Sequence, residues 1–141
     1  MQEKQAFESW LLWYSCVEFE PYDVEFTVYG KWTAGTCDAV GMLTYPAKKI
    51  FNKVFYIDWK SSLYSDRPAH GAQIAKYKQL DGRFPDAGIA VLHLNKDKLG
   101  YKWVDYSKPK FEKRYRKLFE LWRARFYMAR PQLKARARGT K

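Results

Sequence analysis

Apolar side chains recur along this chain with two different periods, and the alternation between them sets out its elements. Phe7, Trp10, Leu11 and Tyr14 fall at helical spacing, which predicts a helix over residues 5–14. Pro21 reads as a break. The run VEFTVY at 24–29 alternates as a strand, with Val24, Phe26 and Val28 on one face and Glu25 on the other. Gly30 and Gly35 bracket a turn into a second strand at about 36–44. A third strand, VFYIDW, covers 54–59. Strand side chains alternate, so Phe55, Ile57 and Trp59 share one face while Tyr56, Asp58 and Lys60 share the other. Residues 61–69 read as loop, and a helix runs from His70 to Leu80, ending near Gly82. GIAVLHL at 88–94 is a buried strand, and the turn Asn95–Gly100 leads to its partner, YKWVDY, at 101–106. Pro109 suits the first turn of a long final helix. Its stripe of Phe111, Tyr115, Leu118, Phe119, Trp122 and Phe126 is expected to pack on the sheet, and Pro131 ends it.

This order of elements predicts an α/β domain with a mixed central sheet flanked by helices. A length of 141 residues, 47% of them apolar, suits one core. The expected division is a single domain over 1–131 and a flexible basic tail over 132–141. No run approaches the roughly 18 apolar residues of a membrane span. Residues 1–5 hold no apolar segment of a secretory signal, so the expectation is a cytoplasmic protein. Cys16 and Cys37 are then read as reduced thiols. Two cysteines also exclude a four-cysteine iron–sulfur cluster built from this chain alone.

Charge changes the picture. The net charge is +11, yet residues 1–107 carry 13 Lys and Arg against 13 Asp and Glu. Residues 108–141 carry another 13 cationic side chains against only Glu112 and Glu120. The whole excess lies in the last quarter, which points to a phosphate-rich partner such as DNA. A solvated helix with a soluble tail is the alternative.

Three segments carry candidate chemistry: Ala34-Gly35-Thr36-Cys37-Asp38-Ala39-Val40, Ile57-Asp58-Trp59-Lys60-Ser61-Ser62, and Gln73-Ile74-Ala75-Lys76-Tyr77. Asp38 and Asp58 sit on adjacent predicted strands, where paired carboxylates repel unless a cation lies between them. Hydrolysis of a phosphodiester uses such a hard divalent cation, held by oxygen ligands. Lys60 projects from the same strand face as Asp58, roughly 7 Å along the strand. There it can orient a water and offset charge on phosphate. Gln73 and Tyr77 are four apart and share a helix face. Each residue alone has a plainer reading: Asp38 as a turn cap, Asp58 and Lys60 as the wet face of an edge strand, Gln73 and Tyr77 as helix surface. His70 opens the helix beside these segments and is a candidate phosphate contact. His70 and His93 read as too few and too isolated for a zinc site.

The ordered set G-T-x-D, D-x-K and Q-x-x-x-Y resembles the PD-(D/E)XK nucleases, in particular their RecB-like and lambda-exonuclease-like branch, over roughly residues 20–106. The resemblance implies that Asp38, Asp58 and the backbone carbonyl of Trp59 coordinate Mg2+ or Mn2+. It implies that Lys60 positions the attacking water and that Gln73 and Tyr77 help to orient the nucleic acid. A further upstream acid is usual in this branch. Glu25 fits best, ahead of Glu20, Glu18 and Glu8. Lys134, Arg136 and Arg138 of the tail are expected to contact phosphates nonspecifically. The activity implied is a metal-dependent DNA exonuclease. A junction-resolvase-like endonuclease and a non-catalytic nucleic-acid-binding module stay open.

Overall fold

A computed structural model describes residues 2–30, 34–61 and 68–128. Helix α1 (Gln2–Ser15) leads into strands β1 (Glu18–Tyr29) and β2 (Ala34–Tyr45), a 3-10 turn at Pro46–Lys48, and β3 (Ile50–Lys60). Helix α2 (Pro68–Asp81), β4 (Gly88–Leu94), β5 (Tyr101–Asp105) and helix α3 (Pro109–Met128) follow. The strands form one sheet in the order β1-β2-β3-β4-β5. The β1–β2, β2–β3 and β4–β5 pairs are antiparallel, while β3 and β4 run parallel. A parallel pair needs a crossover, and α2 provides it. The protein is thus an α/β domain built on a mixed sheet.

The strand pattern decides which residues line each face. β4 is buried along its whole length, as befits an apolar run paired to strands on both sides. On one face Trp13 of α1 packs with Leu43, Phe55, Ile57, Leu92 and Trp103. On the other, Ile74, Ala75 and Tyr77 of α2 pack with Val28, Cys37, Tyr56 and Val91. Ser9 ties α1 to the β4–β5 turn, donating to the Asn95 carbonyl at 2.9 Å and accepting from the Gly100 amide at 3.1 Å. α2 ends at Gly82, whose φ of +70° is the left-handed conformation of a helix stop. Its amide donates to the Lys78 carbonyl at 3.0 Å.

Three expectations change. Pro21 does not break the chain but lies inside β1. β1 is an edge strand, where a missing N–H removes no necessary ladder bond, and the register slips between Pro21 and Asp23. Second, Val24 does not share the buried face of Phe26 and Val28. Glu25 takes φ +47°, which turns the alternation over and leaves Val24 56% exposed. Third, α3 packs on α2 and not on the sheet. Ion pairs Lys76–Glu120 and Lys78–Glu112 join the two helices, and Tyr115 meets Tyr106 edge-on at 5.1 Å. No side chain of α3 is fully buried among those described, and Phe111 is exposed. Among the described residues no helix is long and apolar enough to cross a membrane. The expected tail at 132–141 lies outside the described residues.

Trp13 tests whether α1 closes the sheet. It is fully buried, stacks on Trp103 at 5.9 Å and meets Tyr45 edge-on at 6.5 Å. Trp13→Ala should lower unfolding free energy by about 3–5 kcal/mol in a urea titration. A loss below about 1 kcal/mol would mean that α1 contributes little to the core.

Candidate active site

The pairing of β2 with β3 brings the two acids together. The ladder registers Ala39 opposite Ile57 and goes no further in this direction. The next residues on each strand are Asp38 and Asp58. Beyond the ladder's end the Trp59 amide donates to Asp38 Oδ2 at 2.9 Å. Asp58 is 4% exposed. β3 is the middle strand of five, so Asp58 and Lys60 are not the wet face of an edge strand. Asp38 lies within β2 and is not a turn cap.

Burial and the neighbouring Asp58 push the Asp38 carboxyl up from its usual 3.8 to about 7, partly offset by the Trp59 amide and Lys60. The two carboxyls are in contact, so Asp38 keeps its proton to well above the ordinary carboxylate range. Cys37 lies beneath, fully buried, with its thiol donating to the Ala39 carbonyl at 3.6 Å. Burial first, and Asp58 second, push that thiol far above its ordinary range, so it stays protonated and is not a nucleophile.

The other two segments join the same cluster. Lys60 Nζ lies 3.0 Å from Asp58 Oδ2 and donates to Gln73 Oε1 at 2.8 Å. Gln73 in turn hydrogen bonds the Tyr77 hydroxyl. Burial, then Asp58, raises Tyr77 to about 12, so it keeps its proton at neutral pH. Gly35 leaves room for this tyrosine: a Cβ there would lie 2.6 Å from Tyr77 Cε1 and 3.0 Å from its hydroxyl. Segments far apart in the chain therefore meet in one chain of contacts, from Asp38 through Asp58, Lys60 and Gln73 to Tyr77.

The remaining expected residues are placed less uniformly. Glu25 falls opposite Asp38 between the registered pairs Val24–Ala39 and Phe26–Cys37, but its side chain is exposed. Among the described residues no three His, Cys, Asp or Glu side chains gather closely enough to hold a metal ion, so Glu25 is not collected with the aspartates. His70 and His93 are not isolated. Their rings lie 5.2 Å apart, and His93 is the β4 partner of Lys60. His70 stands three and seven residues before Gln73 and Tyr77, on their helix face. Lys134, Arg136 and Arg138 lie outside the described residues. The sequence reading missed the packing of Gly35 on Tyr77 and the place of His93 beside Lys60. A histidine at the penultimate position of an otherwise apolar buried strand was the available signal for the second.

The donor set suits a hard divalent cation. Two carboxylates in contact, one still protonated near pH 7, form an arrangement that a cation would relieve. Mg2+ needs only one or two protein carboxylates because it retains several waters.

The raised Asp38 value has a testable sign. The folded state holds this proton more tightly than the unfolded chain. Its contribution to stability is therefore complete below about pH 4 and lost as pH rises through about 7. In EDTA, the melting temperature should fall between pH 5 and 8, and Asp38→Asn should flatten that fall. Parallel curves for the two proteins would contradict the raised Asp38 value.

No protein-family model and no curated protein matches the chain, so the functional reading rests on the chemistry of this cluster.

Proposed function

We propose that this protein is a metal-dependent DNA nuclease with a PD-(D/E)XK-type core, acting as an exonuclease. The observation that supports it best is the contact chain joining Asp38, Asp58, Lys60, Gln73 and Tyr77. A binding module gains nothing from a buried and a half-buried carboxylate side by side, which repel phosphate when no cation is present. A nuclease needs them. The basic C-terminal segment adds long-range attraction for a polyanion.

Asp38, Asp58 and the Trp59 carbonyl would hold Mg2+ or Mn2+. Bound there, the ion would lower the pKa of water and take up negative charge developing at phosphorus. The chain's own residues do the rest. Asp38 must give up its proton before it can act as a ligand, which ties activity to rising pH. Lys60 is held between Asp58 and Gln73, so its remaining N–H donor would be offered from a set position to the attacking water and the phosphate. Gln73 holds the ammonium in place and contributes no charge. Tyr77 stays neutral and offers a hydroxyl beside Gly35. The Q-x-x-x-Y helix favours the exonuclease branch of the resemblance.

The test uses end-labelled linear DNA and a closed circle, each with Mg2+, Mn2+ or EDTA. Mononucleotide release from linear DNA alone is expected, with EDTA stopping it and either cation restoring it. Nicking of the circle would make the enzyme an endonuclease. Asp38→Ala, Asp58→Ala and Lys60→Ala should each reduce cleavage by about a hundredfold or more. Gln73→Ala should cost roughly tenfold, because Lys60 remains but loses its anchor. A folded Asp58→Ala protein that cuts at the parent rate would overturn the assignment.

A further inference from the structure

Helix α3 divides its charges between two sides. Its only carboxylates, Glu112 and Glu120, are turned to α2 and held there in ion pairs with Lys78 and Lys76. Its outward side is cationic. Lys110, Lys113, Arg114, Lys117 and Arg125 are all exposed, and at about 100° per residue they fall within an arc of about 120°. Leu121 and Ala124 share that arc and are exposed as well. From Lys110 to Arg125 the stripe runs about 22 Å, at about 1.5 Å per residue. Among the described residues no carboxylate lies within ion-pair distance of these five side chains. Lys110 stands three and four residues before Lys113 and Arg114, and Lys117 stands four and three after them. Like charges at those spacings are neighbours on the helix surface and repel, an unfavourable arrangement that an opposing row of negative charge relieves.

We infer that this stripe is the surface on which the protein holds duplex DNA, by its phosphate backbone and without reading sequence. The inference rests on the nuclease reading for the role of that DNA as substrate, but the binding itself does not involve the aspartates. Charge complementarity calls for a polyanion: about 22 Å of duplex carries about 13 phosphates, one per 1.7 Å or so of axis. The composition of the stripe favours a duplex over a single strand. Surfaces that hold single strands set aromatic rings among their cations, so that bases stack on them. No aromatic residue falls within this arc. Phe111 lies just outside it, with the Lys108 ammonium 5.7 Å from its ring centre. A duplex keeps its bases inside and presents only phosphate and sugar to such a face, and Lys and Arg contacts of this kind position the nucleic acid without specifying it. A membrane surface fits less well. A helix lying in a bilayer needs a broad exposed apolar side, and the other side of α3 is packed on α2.

The experiment is a fluorescence-anisotropy titration of the full chain in EDTA with a short blunt duplex, with one of its strands alone, and with phosphatidylserine vesicles as competitor. The parent should bind the duplex more tightly than the strand. The combined variant Lys110→Gln, Arg114→Gln, Lys117→Gln should weaken duplex binding by about fiftyfold or more at about 0.1 M salt. It should also make the slope of log affinity against log salt shallower by about 2–3, since each phosphate contact accounts for about 0.9 of that slope. These side chains are exposed and Gln is a good helix former, so α3 should persist. If the combined variant nevertheless melts early, Lys113→Gln and Lys117→Gln made singly should each cost about eightfold at the same salt. A control that removes equal charge from exposed sites off the stripe, Lys48→Gln with Lys53→Gln and Lys98→Gln, should bind within about threefold of the parent, because charges more than about 10 Å away are screened. Asp58→Ala should bind the duplex no more weakly than the parent. The inference fails if the α3 variants bind like the parent, if the control loses as much, if the strand binds as tightly as the duplex, or if the vesicles are preferred to DNA. Duplex binding through α3 without cleavage in Mg2+ or Mn2+ would sink the nuclease reading alone. Cleavage by a protein whose α3 variants bind normally would sink this inference alone.

Discussion

Two carboxyl groups forced into contact where β2 and β3 stop pairing form the constraint on which the rest of the site depends. Left alone, a buried aspartate beside a half-buried one would repel and open the sheet. Here the cost is reduced in three ways: a proton retained on Asp38, the Trp59 amide on Asp38 Oδ2, and the Lys60 ammonium on Asp58. Each is a local, replaceable compensation. A divalent cation would substitute for the proton and leave the amide and ammonium in place.

The fold puts that constraint where solvent can reach it. Asp58 and Lys60 end the central strand on the α2 face, and the parallel crossover sets α2 across them. Gln73 and Tyr77 then close over the cluster from one helix face. α3 extends the same side, held to α2 by Lys76–Glu120 and Lys78–Glu112, so its basic residues accumulate on the α2 side of the molecule. The other sheet face is covered by α1 and its aromatic core and carries none of this chemistry.

Much of this was legible from residue spacing, and the exceptions have physical causes. Period-two alternation places Asp58 and Lys60 on one face, and i, i+4 spacing places Gln73 with Tyr77. The opposition of Asp38 and Asp58 depends on strand register. That register is set by the 3-10 turn at Pro46–Lys48 and by left-handed residues at Lys49 and Asn52, which hydrophobic pattern does not report. The same blindness misplaced Val24, because a single left-handed residue at Glu25 reverses the alternation around it. Pro21 misled because whether proline breaks a strand depends on its lying at an edge. The apolar stripe of α3 was readable, but its partner was not. Long-range ion pairs to α2 chose the partner, and pattern carries no information about them.

The central claim is that the Asp38–Asp58 pair is built for a divalent cation, and direct titration with Mn2+ followed by electron paramagnetic resonance tests it most simply. At pH 8, where the Asp38 proton is released, the full chain should take up one Mn2+ that Mg2+ displaces, and Asp38→Asn should lose that binding. Equal Mn2+ uptake by the parent and by Asp38→Asn would contradict the account, because the cation would then be held elsewhere.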